Sequence, residues 1–302
     1  MYKRQKLPNR FAINGQTVRN KTNIAKAFNE YFASIGTEMA DSLPAVDRKL
    51  KEDDVALIMK KQQPKLSTGV DQINNKIVKQ CHIELAKPMT HVINLSIEQG
   101  KVPLLYKIAR IIPLYKKGAA NECGNYRPVS LLSALSKILK KAICQQLMTY
   151  FSVEKLLCPD QFGFRPGNQT THVVHKMINF IAEKAYNNEV VITTFIDLSK
   201  AFDCIQYDKL YKKLEYLGIT GIELEWFKNY LTGRQQCVDL EGNQSSWIDV
   251  KLGVPQGSIL GPILFLIYVN DINNCTTHAE FTKFADDTTL MTSGKTKKQQ
   301  KK

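Results

Sequence analysis

Val190-Val191-Ile192-Thr193-Thr194-Phe195-Ile196-Asp197 is a run of β-branched and apolar residues that ends on an acid. A continuous run of this kind, without polar alternation, predicts a buried strand. A carboxylate closing such a strand is costly unless it is paired or holds a metal. A second acidic point lies downstream, where residues 280–285 and 288–291 read as two strands joined at Asp286-Asp287. Adjacent carboxylates repel each other and gain most from a cation between or beside them. If these strands are neighbours in one sheet, Asp197, Asp286 and Asp287 converge, a set able to hold two magnesium ions for in-line phosphoryl transfer. Taken alone, an Asp-Asp pair reads better as a plain hairpin turn, because Asp is a common turn residue.

Outward from these points, helical and strand patterns alternate. Residues 1–20 read as loop or weak strand. Ile24, Ala27, Phe28, Tyr31, Phe32 and Ile35 recur at helical spacing and predict a helix over 23–40. Residues 41–65 form a charged connector around a short helix. Helices are predicted over 74–81 and 88–99, then a strand over 110–114. Pro128 at a first helical position predicts a long helix to about residue 151, with Leu131, Leu135, Ile138, Leu139, Ala142, Ile143 and Leu147 as its apolar face. Further helices are predicted over 170–186, 207–217, 222–231 and 262–269. A hairpin over 236–252 is closed by Glu241-Gly242-Asn243. Strands separated by helices, with one hairpin near the end, indicate an α+β domain.

The chain has 302 residues and a net charge of +14, with 43% hydrophobic and 23% charged residues. Such a composition suits a globular chain, and the basic surplus attracts polyanions or is simply a solvated surface. Seven cysteines, an odd number without a CxxC pair, read as reduced thiols of an intracellular protein. His172 and His175 sit three apart on a predicted helix, but no cysteine or carboxylate pair accompanies them, so packing or solvent exposure is the better reading. No secretory signal opens the chain. The most apolar stretch, 259–269, is too short for a bilayer and contains Gly261 and Pro262.

The surroundings of the three acids narrow the reading. Phe195-Ile196-Asp197-Leu198-Ser199-Lys200-Ala201-Phe202-Asp203 resembles the first palm motif of reverse transcriptases. Gly253-Val254-Pro255-Gln256-Gly257-Ser258-Ile259-Leu260-Gly261-Pro262 resembles the second, and Phe284-Ala285-Asp286-Asp287 the third. Order and spacing agree, with 59 residues from Asp197 to Gln256 and 30 from there to Asp286. Ile111-Ile112-Pro113-Leu114-Tyr115-Lys116-Lys117-Gly118, followed by Asn125-Tyr126-Arg127-Pro128-Val129-Ser130-Leu131, is similar to the fingers motifs of non-LTR (LINE-type) retrotransposon enzymes. Gln161-Phe162-Gly163-Phe164-Arg165 is similar to an insertion between fingers and palm that marks the non-LTR and group II intron lineages. Ser67-Thr68-Gly69-Val70-Asp71 and Phe28-Asn29-Glu30-Tyr31-Phe32 are similar to jockey-like elements.

The resemblance implies a right-hand polymerase in which fingers and palm are present, the palm being an antiparallel sheet packed on helices, and the thumb is missing. Residues 1–65 would be an N-terminal helical extension and linker, 66–189 the fingers with the palm insertion, 190–292 the palm, and 293–302 a disordered basic tail. It implies RNA-directed DNA synthesis, with nucleotidyl transfer from a dNTP to a primer 3′-hydroxyl. Asp197, Asp286 and Asp287 would be the catalytic, metal-binding residues, holding two Mg²⁺ ions, or Mn²⁺ in their place. Lys116, Lys117 and Arg127 would bind the incoming triphosphate, Phe202 would sit under its sugar, and Gln256 and Gly257 would lie beside nucleotide and template. Gly163, Phe164 and Arg165 would touch the template strand or brace the fingers. The expected partners are RNA template, DNA primer and dNTPs, within a ribonucleoprotein of the element's RNA, in the nucleus or cytoplasm and away from membranes. The sequence stops 15 residues after Asp287. This leads us to expect truncation before the thumb, and either a weak polymerase or an inactive remnant that keeps at most nucleic-acid binding.

Overall fold

The computed structural model describes residues 11–13, 16–18, 20, 49–198, 200–255 and 257–295. The helix expected over 23–40, Gln256 and most of the basic tail lie outside the described residues. Two short strands, β1 (Phe11–Ile13) and β2 (Gln16–Val18), pair antiparallel.

The helical part follows from caps and apolar faces. α1 (Glu52–Lys60) places Glu52, Asp53 and Asp54 in its first turn, where the helix dipole favours negative charge, and buries Val55, Ile58 and Met59. α2 (Asn75–Gln80) is capped by Asn74, whose Oδ1 accepts from the Ile77 amide at 2.9 Å. α3 (His82–Gln99) ends on Gly100 in the left-handed region. β3 (Ile108–Tyr115) and β4 (Tyr126–Leu131) form an antiparallel hairpin.

Here the structure corrects the helix predicted from Pro128. That residue lies in β4 opposite Pro113, and Leu131 pairs with Arg110. β4 is an edge strand, where a residue without an N–H is tolerated, so the Pro does not mark a helix start. α4 (Ala134–Val153) begins later, with Ser133 Oγ accepting from the Ser136 amide at 3.2 Å.

α5 (Thr170–Tyr186) leads into β5 (Val190–Asp197), followed by α6 (Tyr207–Tyr216) and α7 (Gly221–Leu231). Next come β6 (Arg234–Leu240), β7 (Asn243–Gln244), β8 (Ile248–Val250), α8 (Gly261–Tyr268), β9 (Glu280–Phe284) and β10 (Asp287–Gly294). The architecture is α+β. One sheet has the order β4-β3-β6-β7, with β8 also on β6, and β3 and β6 run parallel. The other is three-stranded and antiparallel, in the order β5-β10-β9. A single apolar cluster joins α1, α3, α4, α6, α7 and α8 through residues such as Met59, Ile93, Leu139, Leu214, Phe227 and Phe265. Among the described residues no helix is long and apolar enough to cross a membrane.

Two expectations about the acidic strands are corrected. β5 is not buried: Phe195 is 72% and Ile192 64% exposed. The run forms the expected strand, but it lies at the edge of a small sheet, with β10 on one side, and α5 packs against β5 and β9 without burying any of its own residues fully. The hairpin turn is centred on Ala285-Asp286, one residue earlier than predicted, so Asp287 belongs to β10.

The core also holds a lysine. Lys140 on α4 is 1% exposed; its Nζ donates to Ser136 Oγ at 3.2 Å and to the Tyr106 carbonyl at 3.3 Å, and lies over the Tyr230 ring. Burial, with Arg234 and Lys137 nearby, lowers its pKa from 10.5 to about 7. Between those pH values the unfolded chain binds a proton that the folded chain does not, so stability rises as pH climbs through the window and the full penalty applies below it. Urea denaturation of wild type and Lys140→Met should therefore diverge. Relative to the variant, wild type gains up to roughly 1.4 kcal/mol per pH unit between pH 7 and 10, and the variant is the more stable at pH 7. Parallel pH profiles would show that Lys140 keeps its proton in the fold.

Candidate active site

The three acids meet at one end of the antiparallel sheet. Asp197 is the last residue of β5 and the direct cross-strand partner of Asp287, the first residue of β10. Asp287 also closes the β9–β10 turn opposite Phe284, which leaves Asp286 next to it in the turn. Asp197 and Asp287 are exposed and Asp286 is half-buried. Side chains directly opposite in an antiparallel pair share a face, and like charges there are unfavourable. Among the described residues no side-chain hydrogen bond or ion pair holds any of the three, and no group of three His, Cys, Asp or Glu is gathered tightly enough to hold a metal ion. Their chemistry nevertheless fits one: three carboxylates without counter-charge, at one sheet end, are the hard oxygen donors a divalent cation takes.

The turn is unusual in its backbone. Ala285 has φ of 59° while Asp286 stays outside the positive region, the signature of a type II′ turn with alanine where glycine is usual. Residues 158–165 lie against it. The Lys283 amide donates to the Asp160 carbonyl at 2.9 Å and the Phe162 amide to the Lys283 carbonyl at 2.8 Å, so this loop pairs with β9. Asp160 is held by Lys176 Nζ at 2.5 Å and Asn273 Nδ2 at 2.6 Å. Lys283, buried beneath the hairpin, donates to Asn273 Oδ1 at 2.8 Å; burial lowers its pKa.

Phe202 is reached through a second pair of loops. The Val254 amide donates to the Phe202 carbonyl at 2.9 Å and the Gly253 amide to the Ile205 carbonyl at 3.0 Å. Gly253 has φ of 74°, and a Cβ there would lie 2.8 Å from Asp203 Cα. Only glycine permits both the turn and the approach. The Phe202 ring packs on Phe265 at 5.0 Å and edge-on to Phe164 at 6.2 Å between centroids. Gly257 is exposed with φ of 87°; Gln256 lies outside the described residues.

Lys116, Lys117 and Arg127 are exposed on the β3–β4 hairpin, Arg127 opposite Leu114. Among the described residues no hydrogen bond or ion pair joins them to the acids. Gly163 packs on the acidic turn rather than facing outward. Arg165 Nη1 donates to the Cys158 and Gln161 carbonyls at 2.9 and 3.3 Å, and Phe164 is 47% exposed. Gln161, to which the sequence reading gave no role of its own, is buried with its amide on Ala285. A motif resemblance could point to the loop but not to the residue it grips.

Compared with known proteins, the family model described as "Reverse transcriptase (RNA-dependent DNA polymerase)" matches residues 114–302. The chain is 31% identical to the RNA-directed DNA polymerase from mobile element jockey of Drosophila melanogaster, over 84% of this chain and 28% of that protein. It is 29% identical to the probable RNA-directed DNA polymerase from transposon BS of the same organism, over 81% of this chain and 27% of that one. The chain thus spans just over a quarter of the length of these curated relatives. Among solved structures, an apo telomerase from Candida tropicalis, truncated from its C-terminal domain, aligns with a TM-score of 0.47 at 13% identity, covering 73% of this chain and 50% of that one.

A Cβ at Gly163 would lie 2.0 Å from the Ala285 nitrogen, whereas one at Gly124 would meet nothing within 4 Å. Gly163→Ala is expected to lower unfolding stability by about 1–3 kcal/mol through overpacking, and Gly124→Ala to have little effect. Equal denaturation midpoints for the two variants would mean that the loop can move off the turn freely.

Proposed function

The chain belongs to the reverse transcriptase (RNA-dependent DNA polymerase) family, and from that premise we propose that it carries RNA-directed DNA polymerase chemistry at the end of the β5-β10-β9 sheet. The observation that supports this best is the register: Asp287 directly faces Asp197, and Asp286 is next to it in the turn. Asp197, Asp286 and Asp287 would hold two divalent cations, Mg²⁺ or Mn²⁺. When bound, these supply the Lewis acidity that lowers the pKa of a primer 3′-hydroxyl and neutralises a triphosphate.

The chain's own residues divide the remaining work. The carboxylates bring the charge that fixes the reacting groups at one place. Arg127, with Lys116 or Lys117, receives the triphosphate of the incoming dNTP, the guanidinium fork matching phosphate oxygens in pairs. Phe202, braced between Phe164 and Phe265, presents a flat ring to the sugar and disfavours a 2′-hydroxyl. Gln256 and Gly257 lie beside nucleotide and template. Gly163, Phe164 and Arg165 act on the template side, in part by fixing the loop from which Phe164 projects. The partners are an RNA template and a DNA primer, in a ribonucleoprotein of the mobile element. The net charge of +14 suits such a duplex, whose backbone contacts weaken steeply with salt.

Primer extension on an RNA template with Mg²⁺ and dNTPs tests the reading. Asp286→Ala should reduce extension by about two orders of magnitude or more while leaving salt-sensitive primer–template binding intact. Extension that survives this substitution would place the chemistry elsewhere. Absence of extension in wild type, with binding retained, would mean a folded remnant. In an active protein, Phe202→Val should selectively increase ribonucleotide incorporation, read as the ratio of kcat/KM for rNTP and dNTP. An unchanged ratio would remove Phe202 from sugar selection.

A further inference from the structure

Ala285 adopts a left-handed backbone, φ 59°, which an alanine keeps only where its surroundings over-determine it. The group nearest to doing so is a side chain. Gln161 is 3% exposed. Its Oε1 accepts from the Ala285 amide at 3.1 Å and its Nε2 donates to the Ala285 carbonyl at 3.2 Å. One primary amide thus meets both backbone groups of one residue, as a neighbouring strand would. The same Oε1 accepts from the Gly163 amide at 2.9 Å. The reverse orientation would turn an NH₂ toward two N–H donors and an oxygen toward a carbonyl, so the orientation is fixed. The residue after Ala285 is Asp286.

Resting on the reading of Asp286 as a metal-binding carboxylate, we propose that Gln161 is a positioning residue: its amide holds the strained Ala285 unit and thereby sets Asp286 for a divalent cation. Gln161 touches no reacting atom and acts only through the turn. The contacts around it serve the same end. The β9 pairing of residues 160–162 fixes the base of the side chain, and Arg165 holds the Gln161 carbonyl. A buried methionine would fill the same volume without either hydrogen bond. A glutamate would keep the shape and both bonds only while protonated; ionised, it would set a charge against the Ala285 carbonyl and near Asp286, with Arg165 on its own loop at the Gln161 carbonyl and Lys283 and Asp160 on the paired strand and loop as the other charged groups. Burial raises the pKa of such a carboxyl, which brings the change into an accessible pH range.

The test compares wild type, Gln161→Met, Gln161→Glu and Asp286→Ala in the full chain. Mn²⁺ affinity is read by electron paramagnetic resonance without nucleic acid, and amide exchange across residues 281–290 by mass spectrometry. Gln161→Met should stay folded, bind Mn²⁺ about tenfold more weakly and exchange faster in the turn. In primer extension it should lose kcat with little change in KM for primer–template. Wild-type Mn²⁺ affinity and exchange in a folded Gln161→Met would overturn the proposal. Should that variant not fold, Gln161→Glu decides: its protection relative to wild type at the same pH should be high at pH 5.5 and fall by pH 8, and a pH-independent ratio overturns it. Mn²⁺ binding that Asp286→Ala leaves unchanged removes the metal reading and the proposal with it. Wild type that binds Mn²⁺ but extends no primer defeats only the polymerase activity, because affinity and exchange still report on Gln161.

Discussion

The register between β5 and β10 is the constraint on which the site depends. Eight residue pairs, from Asp197 with Asp287 to Val190 with Gly294, align the two strands. Because side chains alternate with period two, a slip of one residue would turn one acid to the opposite face of the sheet from the other. β10 is also pinned on its other side by β9, from Phe284 to Glu280, so the central strand cannot slide without breaking two ladders at once. The arrangement brings two like charges face to face, which a sheet selected only for stability would avoid. The rest of the molecule tolerates that local cost because its main apolar cluster lies elsewhere, among the helices.

Two loop-to-loop contacts connect this sheet end to its surroundings, and both depend on a glycine that leaves no room for a side chain. Gly253 lets the segment after β8 approach Phe202 and Asp203, and Gly163 lets the loop before α5 approach Ala285. The first contact places the aromatic ring that is read as facing a sugar; the second secures the turn that carries Asp286. The two meet where Phe164, next to Gly163, packs edge-on to Phe202. The acidic turn and the aromatic ring are therefore held by one continuous set of contacts, although 84 residues separate Phe202 from Asp286 in the chain.

Much of this was legible in the sequence, and the misses have physical causes. Helices α2 and α5 to α8 follow from apolar spacing and from stops such as Gly218, because those signals are local; α3 starts at His82, six residues before the predicted start at Pro88, and carries that proline inside it. The convergence of the three acids was legible because Asp197 ends one strand, Asp286 and Asp287 stand where two others join, and the motifs lie in register. Pro128 misled because proline marks a helix start and an edge strand equally well, and which of these holds depends on β3 as a partner. β5 read as buried because a continuous apolar run reports strand formation, whereas its exposure depends on what packs beside it. Lys140 could not be read as a core residue, since its burial is set by Tyr106, Ser136 and Tyr230 meeting around it. Gln161 was invisible as a functional residue for a similar reason: its partner lies 124 positions away.

The unfavourable features of the fold are not scattered. A facing pair of aspartates, an alanine in the left-handed region and a buried lysine, Lys283, lie within a few residues of one another along β5, β9 and β10. Each alone would be a local defect of the kind that sequences usually avoid. Under the proposed function the first two share one explanation, because a cation among the carboxylates would relieve their repulsion and give the strained turn something to hold, whereas Lys283 is held by Asn273 Oδ1. By contrast the buried Lys140 stands apart, its pKa lowered by burial and by its basic neighbours, with no carboxylate among the described residues to offset them. The difference separates a cost that the proposed cation would offset from one that only the fold bears, and it is the clustering of the first kind, more than any single acid, that supports the proposed site at this end of the sheet.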